Sequence, residues 1–387
     1  MSPSAVALTN ELTLAWFEGG TEHHAHWRSE SGVVKPAHIV IADDSITADA
    51  AFRFVCEGTA LLWRGDFQNA RQLMRAMARR IDKHAAKKAS DPGALTMKGS
   101  FYHQRQQQAR RARLLGMLLL QFDAGHHLSL RRAPNVATAC DQAFGSADAP
   151  YVMSLRDLLG AIGAYEWRKN GLMLEQLGTK IHPHYGVFAP IRNEYLDLVA
   201  EAPLPSTKLA FDIGTGTGVL AALLVRRGMA KVVATDTDAR AIACATDNVD
   251  RLGLAKQISV IQTDLFPPGR APLIACNPPW IPAQPSSRLE HAVYDTDSRM
   301  LCGFLNGVGA HLEAGGEAWL VLSDIAEHLG LRSRDELLAW ISHGGLRVLG
   351  RLDVAAKHPR TRDADDLLHR ARAAEITSLW RLGLATA

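Results

Sequence analysis

The chain has 387 residues, 47% of them hydrophobic, and a formal net charge of +3. This length allows two domains with ordinary cores, and no apolar run is long enough to predict a membrane span. Because the five scattered cysteines favour neither a disulfide framework nor a zinc site, and the N-terminus lacks the pattern of a secretory signal, we expect a cytoplasmic protein.

Residues 1–178 are predicted to form a mostly helical domain that recognises the substrate. Apolar residues three and four positions apart predict helices over Ala48–Arg64 and Phe67–Ala86, and the break between them at Gly65 makes them a helical hairpin. Two further helical segments are predicted at Leu114–Phe122 and Ser154–Leu177, and a flexible loop at Ser90–Gly99.

The stretch from Arg64 to Arg113, called the basic segment below, carries thirteen Lys or Arg residues against three acidic ones. Since the whole chain carries only +3, the rest of it is net negative. Several of these cations recur every fourth residue, which aligns them along one helix face. They are Arg71, Arg75, Arg79 and Lys83, and a second cluster contains Arg105, Arg110, Arg111 and Arg113. The segment is either a phosphate-binding surface for nucleic acid, above all RNA, or a solvated helix face.

The stretch Leu209–Leu220, LAFDIGTGTGVL, predicts a buried strand that turns sharply into a helix. Its three glycines permit strained backbone angles and close approach of a ligand to the N–H groups that begin the helix. The order G-x-G-x-G departs from the G-x-G-x-x-G pattern of dinucleotide sites, and an aspartate precedes the first glycine. These features indicate S-adenosyl-L-methionine as the cofactor. Its predicted contacts in this turn are Asp212, Gly214, Thr215, Gly216, Thr217 and Gly218.

Two more predicted strands end in an acidic residue. In KVVATD the last residue is Asp236, whose carboxylate can accept hydrogen bonds from both ribose hydroxyls, with Thr237 beside it. In ISVIQTDL, Asp264 can accept from the adenine amino group, with Leu265 beside the ring. Each acid alone is equally well explained as a helix N-cap or a solvated turn, whereas three at successive strand ends favour a cofactor site.

A rigid loop follows the next predicted strand, Pro272–Cys276. It contains Asn277, Pro278, Pro279 and Trp280, and its two prolines exclude continuation of the strand. The carbonyl oxygens of Asn277 and Pro278 can accept hydrogen bonds from a planar N–H₂ group while Trp280 stacks on the plane of the substrate. We therefore predict that these four residues are catalytic and that Asn277 also contacts the cofactor, with an ordinary tight turn as the alternative.

From about residue 180 to residue 385 the chain resembles a class I S-adenosylmethionine-dependent methyltransferase with an N-P-P-[YFW] motif. The sequences DIGTGTG, ATD and NPP are similar to the HemK/PrmC-type enzymes, which methylate a glutamine amide in release factors. The sequence GVFAP at Gly186–Pro190 resembles the RsmC-like small methyltransferase domain, which acts on guanine amines in ribosomal RNA. The sequence PIRNE at Pro190–Glu194 is also loosely similar to the HemK type. Trp280 stands where these enzymes usually carry Tyr or Phe.

We predict that residues 182–185 belong to the loop that leads into Phe188 and covers the cofactor. Arg192 and Glu194 are candidates for contacts to substrate or cofactor, with an exposed ion pair as the alternative. Two histidine groups lack the spacing of metal ligands, so no metal site is predicted. These groups are His23, His24 and His26, and His182 and His184.

Residues 179–387 are predicted to form the methyltransferase domain, an α/β fold of the Rossmann-like, doubly wound type. Its seven strands alternate with helices and finish in an antiparallel edge hairpin, which places the ligand at the carboxyl ends of the central strands. The elements predicted after the proline loop are helices at Asp297–Ala314 and Ser333–His343 and strands at Glu317–Leu322, Leu346–Val354 and Ile376–Leu384.

The sequence thus predicts an enzyme that transfers a methyl group from S-adenosyl-L-methionine to nitrogen. The acceptor is an amide or exocyclic amine of a macromolecule, either a protein glutamine or a nucleobase. Two alternatives stay open. One is a methyltransferase of a small amine or amino acid, and the other is a non-catalytic cofactor-binding module for RNA or assembly.

Overall fold

The computed structural model describes residues 13–30, 32–88, 95–285 and 289–385. The chain folds into two compact units. Unit 1 comprises Met1–Ala94 and Tyr102–Glu166, and unit 2 comprises Leu95–Phe101 and Trp167–Ala387. The predicted domain boundary between residues 178 and 179 remains a prediction, and residues 90–94 of the predicted flexible loop lie outside the described residues. Within the described ranges, none of the helices combines the length and the apolar character that crossing a membrane requires.

Unit 1 contains a six-stranded mixed sheet in the order β1-β2-β6-β5-β4-β3. Strands β3, β4 and β5 are parallel to one another, and β5 and β6 are antiparallel. The strands are β1 Thr13–Glu18, β2 Thr21–Trp27, β3 His38–Ala42, β4 Thr59–Trp63, β5 Leu118–Phe122 and β6 Tyr151–Ser154. The helices of this part of the chain are Ala48–Cys56, Phe67–Lys88, Met97–Leu115, Ala137–Phe144 and Leu155–Asn170.

The prediction of a mostly helical N-terminal domain is wrong, because two stretches predicted as helix are central strands. The predicted helix Ala48–Arg64 ends at Cys56, and Gly58, with a φ of 87°, starts the turn into β4. The predicted helix Leu114–Phe122 contains β5. Both strands are buried on both faces, so their apolar runs lack the alternation that identifies a half-exposed strand. The predicted helical hairpin is therefore a helix–strand–helix unit.

The predicted helix Ser154–Leu177 is also too long. It spans Leu155–Asn170 and stops before Gly171, whose φ of 70° suits a glycine that ends a helix. The remaining residues form the short strand β7, Leu172–Leu174, and a 3₁₀ turn. Strand β7 pairs with β8, Thr179–Ile181, in a two-stranded antiparallel sheet.

Unit 2 contains a seven-stranded sheet in the order β11-β10-β9-β12-β13-β15-β14. Its strands are β9 Leu209–Ile213, β10 Lys231–Asp236, β11 Ile258–Gln262, β12 Ala271–Cys276, β13 Leu312–Ser323, β14 Leu346–Ala355 and β15 Ile376–Leu384. Its helices are Glu194–Glu201, Val219–Arg226, Ala239–Arg251, Arg299–His311, Ile325–His328, Arg334–His343 and His369–Ala374.

The predicted doubly wound sheet with an antiparallel edge hairpin is confirmed. Strands β11, β10, β9, β12 and β13 are parallel, whereas β15 is antiparallel to both β13 and β14. The central strands are buried on both faces, with one apolar cluster centred on the helix Val219–Arg226 and another on the helix Arg299–His311. Because parallel strands end at the same edge of a sheet, the loops after β9, β10 and β12 share one edge.

The helix predicted at Asp297–Ala314 is shorter than expected, because a local carboxylate fixes its first turn and a strand begins directly after it. The buried carboxylate of Asp295 accepts from the backbone N–H groups of Met300 and Leu301 at 2.9 to 3.1 Å. This fixes the first turn of the helix at Arg299, and Leu312 already belongs to β13.

Candidate active site

The three glycines after β9 form the turn that the sequence predicts. Gly214, Gly216 and Gly218 have φ angles of 72°, 55° and 80°, a region that L side chains rarely adopt. A Cβ atom at Gly214 would collide with the Met300 side chain, whereas one at Gly216 would meet nothing within 4 Å. The backbone around Gly216 is therefore open to a ligand.

Asp212 lies inside β9 and is fully buried. Its Oδ2 accepts from the Thr215 hydroxyl at 2.7 Å and from the backbone N–H of Ala221 at 3.1 Å. The carboxylate therefore links the glycine turn to the first turn of the following helix. Its Oδ1 is buried and has no hydrogen-bond partner among the described residues. Burial raises the pKa of this carboxyl to about 6.

Asp236 ends β10 and binds the glycine turn directly. Its Oδ2 accepts from the backbone N–H of Gly216 at 3.0 Å, and its Oδ1 accepts from the backbone N–H of Asp238 at 3.0 Å. Burial raises the pKa of Asp236. Both oxygens retain a further lone pair, so the carboxylate can still accept from a ligand hydroxyl. Its predicted contact with ribose, and that of Thr237, remain predictions.

The third predicted acid is more open. Strand β11 ends at Gln262, so Asp264 lies in the turn that follows, with an exposed side chain. Leu265 has a φ of 57°, and its carbonyl accepts from the Thr235 hydroxyl at 2.6 Å. This bond ties the turn to β10. Contact of Asp264 and Leu265 with adenine remains a prediction.

The proline loop follows β12, the strand beside β9. Asn277 Oδ1 accepts from the Trp280 indole N–H at 2.9 Å. Burial raises the pKa of the nearby Tyr195 hydroxyl, and Asn277 opposes part of this rise. The structure therefore brings the glycine turn, Asp236 and Asn277 to one edge of the sheet, whereas their roles toward ligands stay predictions.

The segment before the helix Glu194–Glu201 is anchored to the glycine turn through Asn248. The backbone N–H of His182 donates to Asn248 Oδ1 at 2.7 Å, and Asn248 Nδ2 donates to the Thr217 carbonyl at 3.0 Å. His184 pairs with Asp247 at 2.9 Å. Across the ranges that the structure describes, no three His, Cys, Asp or Glu side chains are grouped to hold a metal ion.

Two further predicted candidates lie beside Trp280. The Arg192 guanidinium carbon lies 5.2 Å from the centre of a Trp280 ring, and the same group pairs with Glu194 at 3.1 Å and with buried Glu375 at 2.9 Å. Phe188, which is predicted to contact the cofactor, is 36% exposed.

Sequence patterns did not indicate Tyr195 and Asn248, since a single polar group on a buried helix face has no distinguishing pattern.

The residues at this edge suit S-adenosyl-L-methionine. The cofactor carries a positive sulfonium and an ammonium group. Two carboxylates with raised pKa values, the buried Asp212 and the half-buried Asp236, lie beside the open turn at Gly216. Among the described residues, no donor reaches Oδ1 of Asp212. A cationic ligand with N–H and O–H donors complements these groups, whereas a pyrophosphate would be repelled.

Residues 180–334 match the family model described as the Methyltransferase small domain. The chain is 27% identical over 176 residues to the tRNA1(Val) (adenine(37)-N6)-methyltransferase of Shewanella loihica, covering 43% of this chain and 70% of the relative. It is 32% identical over 143 residues to the release factor glutamine methyltransferase of Cereibacter sphaeroides, covering 33% of this chain and about half (51%) of the relative. Among solved structures, a ribosomal protein L11 methylase from Lactobacillus delbrueckii aligns with 18% identity over 52% of this chain and 82% of that chain, with a TM-score of 0.34.

The burial of Asp212 predicts opposite effects of Asp212→Asn on stability and binding. A raised pKa means that the folded protein retains a proton that the unfolded chain loses between pH 4 and 6, so the unfolding free energy of the wild type falls as pH rises through this window. Above pH 6 the variant should be more stable than the wild type by about 1 to 3 kcal/mol. It should nevertheless bind S-adenosyl-L-methionine more weakly.

Urea unfolding of the ligand-free protein at pH 7.5 and pH 5 checks the stability effect, and calorimetric titration checks the binding. Asp250→Asn, a change at an exposed carboxylate of the helix Ala239–Arg251, serves as the matched control and should alter neither quantity. An Asp212→Asn protein no more stable than the wild type at pH 7.5 would contradict the conclusion that the buried Asp212 carboxylate destabilises the ligand-free fold.

Proposed function

We propose, from the premise that residues 180–334 form a methyltransferase small domain of the class I S-adenosylmethionine-dependent type, that the chain methylates a planar N–H₂ nitrogen on a macromolecule. The observation that carries the proposal is the position of Asn277 at the same sheet edge as the glycine turn and Asp236. In this arrangement the Asn277 amide would bind the acceptor beside a site for a cationic cofactor, which supports the proposal.

The chain's own residues bind and orient the reactants. Asp212, Asp236 and the glycine turn would hold S-adenosyl-L-methionine, which supplies a methyl group activated by its sulfonium. Asn277 accepts a hydrogen bond from the acceptor N–H, and this orients the nitrogen lone pair. The cofactor is already cationic, so the acceptor nitrogen needs no strong base and can lose its proton during or after transfer.

Both named relatives act on nitrogens of this kind, one on adenine N6 and the other on glutamine. Adenine amines and glutamine amides share a planar N–H₂ group, so one pair of hydrogen-bond acceptors serves for either. The enzyme can therefore discriminate between adenine and glutamine substrates only through contacts outside the loop at residues 277–280.

The exposed basic segment favours nucleic acid as the partner. In unit 1 the helix Phe67–Lys88 exposes Arg75, Arg79 and Lys83. Arg111 on the helix Met97–Leu115 pairs with Asp82 at 2.9 Å, which joins the two helices. Arg110 and Arg113 of the second helix line a surface depression together with Gln106 and Gln107. Such a surface can bind phosphates, so we propose RNA as the substrate and a protein glutamine as the second candidate.

Removal of the Asn277 amide should abolish turnover without abolishing cofactor binding. Asn277→Ala should lower the rate of transfer of labelled methyl groups to extract macromolecules by about 100-fold or more, because both a hydrogen bond and the orientation of the nitrogen are lost. Affinity for S-adenosyl-L-methionine should change by less than about threefold. Asn170→Ala, at an exposed site, is the control and should transfer normally.

Digestion of the labelled product with ribonuclease or protease identifies the acceptor class. Label released by ribonuclease supports the RNA proposal, and label released by protease favours glutamine. Label in the small-molecule filtrate would favour a small amine. Unchanged turnover in Asn277→Ala would refute the role of the amide.

RNA affinity should depend on salt and on the basic segment. Because phosphate contacts release counterions, binding of the wild type to extract RNA should weaken steeply between roughly 50 and 200 mM salt. Reversal of three charges of the basic segment, Arg75→Glu, Arg79→Glu and Arg110→Glu, should abolish this binding and leave cofactor affinity intact. Filter binding over a salt series measures both effects.

A triple variant with the same charge change at exposed sites in unit 2 is the matched control. It combines Lys208→Glu, Arg226→Glu and Lys256→Glu and should keep most of the RNA affinity. If the wild type binds no RNA at low salt, the basic segment is a solvated surface and the glutamine substrate becomes the better proposal.

A further inference from the structure

The hydrogen bond between Trp280 and Asn277 determines which way the Asn277 amide faces. The indole N–H is only a donor, so the atom that receives it at 2.9 Å is the amide oxygen and not the amide nitrogen. The orientation of this amide therefore follows from chemistry alone. An amide oxygen has two lone pairs, and the indole uses one of them.

The indole packs against an ion cluster whose two carboxylates are buried. Arg192 lies 5.2 Å over a ring of Trp280 and pairs with Glu194 at 3.1 Å and with Glu375 at 2.9 Å. Glu375 is 2% exposed and also accepts from the Ser323 hydroxyl at 2.6 Å. A guanidinium held at two carboxylates has little freedom, and it covers one face of the indole. A second ring can therefore stack on Trp280 only from the opposite face.

We propose that Trp280 is a positioning residue for methyl transfer, whose indole N–H holds the Asn277 carbonyl so that its second lone pair receives the acceptor N–H. This inference rests on the proposed function. A phenyl ring at this position would also offer a stacking surface, but it has no N–H. What tryptophan adds is therefore the hydrogen bond to the Asn277 carbonyl.

The first test separates the hydrogen bond from the ring. Trp280→Phe keeps an aromatic face, and its kcat for transfer of labelled methyl groups to the acceptor fraction of the extract should fall about tenfold. Its KM for that fraction and its affinity for S-adenosyl-L-methionine should change by less than about threefold. Trp280→Ala should also raise KM, because the stacking surface is lost. The control Trp340→Phe changes a partly buried tryptophan of the same unit and should leave kcat unaltered. An unchanged or higher kcat in Trp280→Phe would overturn the proposal.

A second test needs no transfer reaction. In protein labelled with ¹⁵N at tryptophan, the Trp280 indole resonance is identified by its absence from Trp280→Phe. The chemical shift of this resonance should change in Asn277→Ala and should be unchanged in Asn170→Ala. An indole resonance that does not move in Asn277→Ala would overturn the proposal even if methyl transfer occurs. If the resonance moves but the wild type transfers no methyl group, the hydrogen bond stands while the proposed function and the positioning role both fail.

Discussion

The hydrogen bond from the Gly216 backbone N–H to the Asp236 carboxylate is the interaction on which the site depends. It joins the turn after β9 to the end of β10 at 3.0 Å. Strand β12 lies on the other side of β9, so the same sheet edge also receives Asn277. Parallel pairing brings these ends together, and the left-handed glycines let the turn pass close to the carboxylate. The same turn leaves an open backbone surface for a ligand.

The sequence predicted the sheet of unit 2 well because three of its parallel strands end at or beside chemically distinctive residues. Glycines, acids and the proline loop marked the ends of β9, β10 and β12, and the edge hairpin followed from the count of apolar segments. Unit 1 lacks such markers. The strands Thr59–Trp63 and Leu118–Phe122 are short apolar runs, buried on both faces, that resemble segments of a buried helix. Contacts between residues distant in sequence, such as those of Tyr195 and Asn248, form only in the tertiary fold and leave no pattern in the sequence.

The site carries a cost in stability that a cationic ligand would relieve. Asp212 is buried with one oxygen unpartnered, and burial also raises the pKa of Asp236. Hydrophobic packing around the helices Val219–Arg226 and Arg299–His311 offsets this cost and holds the carboxylates in place. Buried charge without a full set of partners is expected at binding sites, where a ligand completes the hydrogen bonding.

Calorimetric titration of S-adenosyl-L-methionine into the wild type and Asp236→Ala tests the central claim most directly. The wild type should bind one equivalent, and the variant should bind more weakly by about 1 to 3 kcal/mol, since the proposed contacts to ribose and the link to Gly216 would both be lost. Urea unfolding of the variant confirms that it remains folded. Absence of binding by the wild type, or equal affinity in a folded variant, would contradict the account.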